Sequence, residues 1–180
     1  MLGIDPGTAV TGYGVVETAP ARMGRLVECG VLRTMPRDPL ATRLRTVYEG
    51  LTEIISRHRP DAVAVEGVFY ATNVRTTVVL GQARGVALLA AALADIPVFE
   101  YSPALIKKAV VGRGAALKPQ VGFMVSRLLQ LKAPPTPADA ADGVAVALTH
   151  LLLSRRPIPT RRAGPGSRRA GSNQDHGTGP

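Results

Sequence analysis

Four carboxylates fall where the hydrophobic pattern calls for core. Asp5 ends the apolar run "MLGI" and is followed at once by Pro6 and Gly7; Glu66 ends "AVAV" and is followed by Gly67. Asp139 and Asp142 lie three residues apart in "TPADAADGVAVAL". On a helix that spacing puts them about 60° apart around the axis and about 4.5 Å along it, on one face. Burying a charge is costly unless it is paired. Four such groups drawn together would repel one another unless cations lay between them. An oxygen-only donor set favours hard ions, Mg²⁺ or Mn²⁺. Two such ions about 3.5–4 Å apart hold both the attacking and the leaving oxygen of a phosphodiester displacement. Taken singly, three of the acids have plainer readings. Asp5 is a good turn residue before Pro-Gly, Glu66 can pair with a surface arginine, and Asp139 fits a capping box with Thr136 as N-cap and Pro137 as N1. Asp142, among alanines on a helix apolar down to Leu153, has no such account.

The elements that must position these acids come in two phases. "MLGI", "VTGYGVVET" and "GRLVECGVLRT" alternate and are separated by short turns, which predicts three antiparallel strands. Then "DPLATRLRTVYEGLTEIISRHRP" carries apolar residues at helical spacing, with Asp38 as expected N-cap, Pro39 as N1 and Pro60 as terminator. "DAVAVEG" and "IPVFEY" read as strands, separated by a long helix over "NVRTTVVLGQARGVALLAAALAD". "SPALIKKAVVG", "KPQVGFMVSRLLQLK" and "TPADAADGVAVALTHLLL" read as helices. The expected fold is α/β, a five-stranded mixed sheet of three antiparallel and two parallel strands flanked by helices. The parallel strands would bring Asp5 and Glu66 out at the same sheet edge, where α/β folds place ligands.

Charge points to the partner. The 180 residues carry a net charge of +9, and six arginines with one acid, Asp175, fall in residues 155–180. A basic chain suits a polyanion, nucleic acid first; the plain alternative is an ordinary surface with a charged tail. That tail is rich in Pro, Gly, Ser and Arg, cannot bury a face, and is expected to be disordered. The domain reading is one folded unit over residues 1–153 and a basic tail over 154–180. The most apolar stretch, from Gly85 to Phe99, is broken by Asp95 and Pro97, so no membrane span and no membrane partner is expected. A single cysteine, Cys29, suits a reducing cytoplasm. His58, His150 and His176 form no nucleophilic triad with serine or cysteine, and His150 lies about 12 Å along the helix from Asp142, too far to share its metal.

The segments "GIDPGTAVTGYGVVE", "DAVAVEGVFYATNVRTTVVLGQARG", "YSPALIKKAVVGRGAALKPQV" and "ADAADGVAVALTH" together resemble the RuvC family of Holliday-junction resolvases, in the RNase H-like nuclease superfamily. The likeness spans about residues 1–153; "GIDPGT" alone is weak, whereas "LGQARG" and "KKAVVGRG…K" in this order are specific. It implies an RNase H-like fold and a crossover junction endodeoxyribonuclease of recombination and repair, which nicks opposed strands of a four-way DNA junction symmetrically. It makes Asp5, Glu66, Asp139 and Asp142 the catalytic, metal-binding acids, with two Mg²⁺ per subunit and Mn²⁺ as substitute. It implies a homodimer and a branch-migration helicase as partner, in the cytoplasm. It also gives DNA-binding roles to Phe69, Lys107 and Lys118, with Lys108 and Arg113 as expected backbone contacts. Read alone, Phe69 can equally be a core residue, and the spacing of the lysines favours ordinary solvated side chains. The chain departs from the family pattern in a shorter run ahead of "LGIDPG", in Gly67 where Gln is common, and in its tail.

The helix from Arg75 to Ala94 is apolar all round from Gly85 onward and needs cover on two faces. One face would meet the sheet and the other a second copy of itself, or another helix of the same chain. Two rival functions stay open on the sequence. An actin-like ATPase domain would use "DPGT" for a nucleotide phosphate but needs a second such domain, and a junction-binding scaffold would leave four intact acids without a use.

Overall fold

The structure is a computed structural model that describes residues 1–20, 22–67 and 74–154. Within them run β1 (Leu2–Asp5), β2 (Val10–Ala19), β3 (Arg22–Arg33), α1 (Leu40–His58), β4 (Val63–Glu66), α2 (Val74–Ala92), β5 (Val98–Tyr101), α3 (Pro103–Val111), α4 (Lys118–Leu128) and α5 (Ala138–Ser154). The strands form one five-stranded sheet in the order β3-β2-β1-β4-β5. β1 pairs antiparallel with β2, and β2 with β3; β1 pairs parallel with β4, and β4 with β5. This is the expected mixed sheet.

Helices cover both faces. The period of two along a strand sends Leu2 and Ile4 of β1, with Val63 and Val65 of β4, toward α1 and α2. There they meet Val47, Leu51, Ile54 and Ile55, the inner stripe of α1, and Ala87, Ala90 and Ala91 of α2. The alternate residues, Ala64 and Val16 among them, face α3, α4 and α5. α5 is central to that layer: Val144 to Leu148 are fully buried.

Two helix starts differ from expectation. Asp38 is not the N-cap of α1. Its N–H donates to the Met35 carbonyl at 3.0 Å in a tight turn, Pro39 takes the cap position, and no side chain caps the helix. Thr136 and Pro137 do not open α5 either. The Thr136–Pro137 peptide is cis, and the helix begins at Ala138 with the Ala140 N–H donating to the Pro137 carbonyl at 2.9 Å. Ser102 does cap α3 as its sequence suggests, accepting from the Leu105 N–H at 3.2 Å ahead of Pro103. Among the described residues no helix is long and apolar enough to cross a membrane.

Candidate active site

Asp5 and Glu66 close adjacent parallel strands. Ile4 lies level with Val65, so the next pair along is Asp5 beside Glu66. By the strand alternation both side chains project to the α5 face, the face that Ala64 also takes. The two strands therefore suffice to bring two of the four acids together at one sheet edge.

The other two acids arrive because α5 sits on the sheet almost without side chains between. A Cβ on Gly12 would lie 1.9 Å from the Asp139 carbonyl oxygen, and one on Gly143 would lie 2.5 Å from the Tyr13 Cα. Gly3 meets the α5 backbone equally closely, at 2.3 Å from the Ala147 nitrogen. Gly12 is also the ladder partner of Asp5. The first turn of α5 is thus pressed onto β2 beside the strand residue that holds Asp5. The signal was present in "TGYG", where glycines two apart strip one face of a strand, a pattern that marks close backbone approach.

The loop after Asp5 is pinned from both sides. Thr11 Oγ1 donates to the Gly7 carbonyl at 2.7 Å. Thr34 Oγ1 donates to the Thr8 carbonyl, and the Thr34 N–H to the Ala9 carbonyl at 3.1 Å. The Arg43 guanidinium donates to the Thr8 carbonyl at 3.1 Å and to the Thr8 hydroxyl at 3.0 Å. Sequence reasoning missed this clamp, since it joins residues up to 35 apart along the chain.

A cleft of about 250 Å³ opens at this edge, lined by Asp5, Glu66 and Asp142, by Lys107 and Lys118, and by an apolar floor of Ile106, Val121 and Ala145. Lys118 Nζ lies 2.8 Å from Asp142 Oδ2 and 3.7 Å from Asp139 Oδ1. Its backbone is fixed at the start of α4, where the Leu117 N–H donates to Gln120 Oε1 at 2.9 Å. Asp139 stands on the rim, reached through Lys118. Burial pushes the Asp5 carboxyl up to about 6; a hydrogen bond from Glu66 and the Lys118 charge oppose the rise, while Asp142 and Asp139 add to it. Burial pushes Glu66 up to about 8, with the Asp5 charge and the shared hydrogen bond adding to the effect. Burial and crowding thus push both acids toward their protonated forms, as they do for crowded carboxylates generally. Lys118 in turn is pushed up by its bond to Asp142.

As they stand, the described acids form no preassembled three-ligand group. Their chemistry nevertheless fits a hard cation: oxygen donors alone, half-buried, with Asp5 and Glu66 both pushed upward by burial and by the neighbouring acids.

The geometry has close relatives. The family model for crossover junction endodeoxyribonuclease RuvC matches residues 1–150. This chain belongs to that family. A crossover junction endodeoxyribonuclease RuvC of Pelotomaculum thermopropionicum is 54% identical over 150 residues, 83% of this chain and 91% of the relative. One from Parafrankia is 50% identical over 176 residues, 94% of this chain and 99% of the relative. Among solved structures, T. thermophilus RuvC in complex with a Holliday junction substrate superposes with a TM-score of 0.80 at 39% identity, covering 86% of this chain and 93% of that one. This chain is therefore an RNase H-like endodeoxyribonuclease, a metal-dependent hydrolase by family.

Of the expected DNA contacts, Lys107 and Lys118 share the acid cleft. Lys108 does not: it lines a separate hollow with Leu105, Gly112 and Leu152, between α3 and the end of α5. Arg113 is exposed in the turn after α3. Phe69 and the basic tail lie outside the described residues. His150 is a structural partner, bonded through Nδ1 to the Tyr101 hydroxyl at 2.8 Å and packed on Phe99.

Proposed function

We propose that this nuclease nicks opposed strands of four-way DNA junctions symmetrically, with Asp5, Glu66, Asp139 and Asp142 as its catalytic acids. The observation that carries this reading is the convergence of Asp5, Glu66 and Asp142 on one cleft together with Lys107 and Lys118. Two Mg²⁺ ions, or Mn²⁺ in their place, would supply the Lewis acidity and charge that phosphodiester hydrolysis needs. Asp5 and Glu66, on rigid strand ends, hold the acid pair in place. Asp142 and Asp139 close the site from α5. Lys107 and Lys118 offset the negative charge that develops on the phosphate oxygens as the bond to the 3′-oxygen breaks. Phe69 and its loop supply a stacking surface for an unpaired base, and Lys108 and Arg113 hold backbone further out. The T. thermophilus relative bound to a junction supports this choice of substrate.

Symmetric cutting calls for a homodimer. α2 and the residue after it offer the surface: Val78, Leu89 and Leu93 are each more than half exposed along one stripe, while Ala87, Ala90 and Ala91 are buried in the core shared with α1 and the sheet. Residues 1–153 form the nuclease unit and 154–180 a basic appendage, the enzyme works in the cytoplasm, and a branch-migration helicase presents its substrate.

A labelled four-way junction tests the core of this reading. Parental protein is expected to produce paired nicks with Mg²⁺ and none in excess chelator. Asp5→Asn is expected to bind the junction and leave it uncut. Cutting by Asp5→Asn at the parental rate removes the acids from the chemistry.

A further inference from the structure

The cationic groups assigned so far, Lys107 and Lys118 in the acid cleft with Lys108 and Arg113 further out, lie on its α3–α4 side. The opposite flank, where β2 begins and β3 ends, carries cations with no role. Arg33 is the last residue of β3 and pairs with Val10. Two steps back, Val31 pairs with Gly12, and Gly12 in turn pairs with Asp5. Residues paired across a ladder share a face, and residues two apart on a strand share a face. Arg33 is thereby placed on the face of the sheet that carries Asp5, the face on which Asp139 rests at Gly12. Two strand spacings and two residue rises put its Cα about 12 Å from that of Asp5, within one long side chain of a phosphate neighbouring the one over the acids.

Arg33 is held there rigidly. The next residue, Thr34, is bonded through its N–H to the Ala9 carbonyl and through its hydroxyl to the Thr8 carbonyl. The backbone under Arg33 is thus tied to the loop that follows Asp5. The Arg33 side chain itself is exposed, and among the described residues no ion pair is formed by it or by Arg37, exposed on the turn that follows. Arg43 differs: its guanidinium is spent on Thr8 and Thr34. An arginine free of acids, on a fixed base beside a phosphodiester site, has the chemistry of a phosphate contact, for which a guanidinium fork is well shaped.

We propose that Arg33, with Arg37 beside it, forms a backbone-phosphate subsite that holds the substrate strand on the β3 flank of the acid cleft. The strand then runs from the lysines of α3 and α4, over the acids, across the loop of residues 6–9 and onto Arg33. The inference rests on the acids being where DNA is cut.

The test uses the full chain, a four-way junction and metal-free buffer so that binding is read without cutting. Junction affinity is titrated against salt for the parental protein, Arg33→Gln, Arg33→Lys and Arg33→Gln with Arg37→Gln. Releasing one phosphate from the protein should reduce the salt slope by about 0.9. The double variant should therefore reduce it by about 1.8, while Arg33→Lys keeps the slope. Phosphate-ethylation interference should disappear on one side of the cut site in Arg33→Gln, with the parental melting temperature retained. An unchanged slope and interference pattern in Arg33→Gln overturns the subsite, as does a lowered melting temperature with unchanged affinity, which makes Arg33 a structural residue. If ethylation near the cut site does not interfere with parental binding at all, the placement of DNA over the acids fails first.

Discussion

The two faces of the sheet are built by opposite rules. Toward α1 and α2 the strands offer Leu2, Ile4, Val63 and Val65, and a layer of large aliphatic side chains separates backbone from backbone. Toward α5 the strands offer Gly3, Gly12 and Gly14, and helix and sheet touch through main-chain atoms. The first face stabilises by apolar burial and tolerates adjustment, because side chains repack. The second also buries apolar side chains, but where α5 crosses β1 and β2 at Gly3 and Gly12 it fixes position, because no side chains lie between the backbones to absorb a shift. The acids sit on the second face. The proposed site of four carboxylates at defined separations is better served by contact between backbones than by a cushion of side chains.

The sharpest way to break this contrast is to put a methyl group between α5 and the sheet. Gly143→Ala brings a Cβ within 2.5–2.7 Å of three Tyr13 backbone atoms, and Gly12→Ala brings one to 1.9 Å from the Asp139 carbonyl. Neither neighbour is a side-chain end that can swing away. Each variant is expected to lose about 3 kcal/mol or more of stability and to lose junction cutting even where circular dichroism shows folded protein, since Asp139 and Asp142 are lifted off Asp5. Leu51→Ala is the matched change on the other face. Leu51 is fully buried, and its truncation should cost about 2–5 kcal/mol. Its folded fraction should still cut at close to the parental rate. Equal activity loss per unit of stability in both variants would erase the distinction between the faces.

Leu89→Glu probes the outer side of the cushioned layer. Leu89 is 52% exposed on α2, whereas Ala87 on the same helix is fully buried. A charge at Leu89 meets its own copy in the proposed dimer and should weaken association by about tenfold or more, read by sedimentation, with the protomer fold intact. Ala87→Glu should unfold the protomer instead. An unaltered sedimentation profile for Leu89→Glu moves the dimer contact off this stripe.

The last expectation concerns pH. In the folded, metal-free protein burial pushes Asp5 up to about 6 and Glu66 up to about 8, both above their ordinary values of 3.8 and 4.5. The folded state therefore holds protons that the unfolded chain has released. Stability from these protons is full below the unfolded values and is lost as pH rises through the folded ones. In chelator, the melting temperature should fall steadily as pH rises from about 5 to about 8. Glu66→Gln should flatten most of that slope. A slope unchanged in Glu66→Gln would place its origin in other groups.

Much of this was legible in the order of residues. Strand alternation and helical spacing placed each of the described elements, and an acid at the end of each of two parallel strands already implied that Asp5 and Glu66 meet. Legibility failed at helix starts. Asp38 and Thr136 have the right side chains for caps, but a tight turn at Met35–Asp38 and a helix that starts only at Ala138 put both outside the cap position. It failed again at the Thr8, Thr34 and Arg43 clamp, whose members carry no mutual spacing that a sequence pattern reveals.

What the sequence determined by itself is the chemistry: the oxygen-only donor set, the cations near it, and the local periodicities that make each strand and helix. Those follow from side-chain identity and from spacings of two and three or four residues, which are local properties. What only the tertiary structure decided is distance. Whether Asp139 and Asp142 join Asp5 depends on how far α5 stands from β1 and β2. That separation is set by Gly3 and Gly12 in the first two strands and Gly143 in the last helix, segments remote from one another along the chain. Each looks like a weak point in its own element; together, by leaving no atoms between two backbones, they fix where the acids stand.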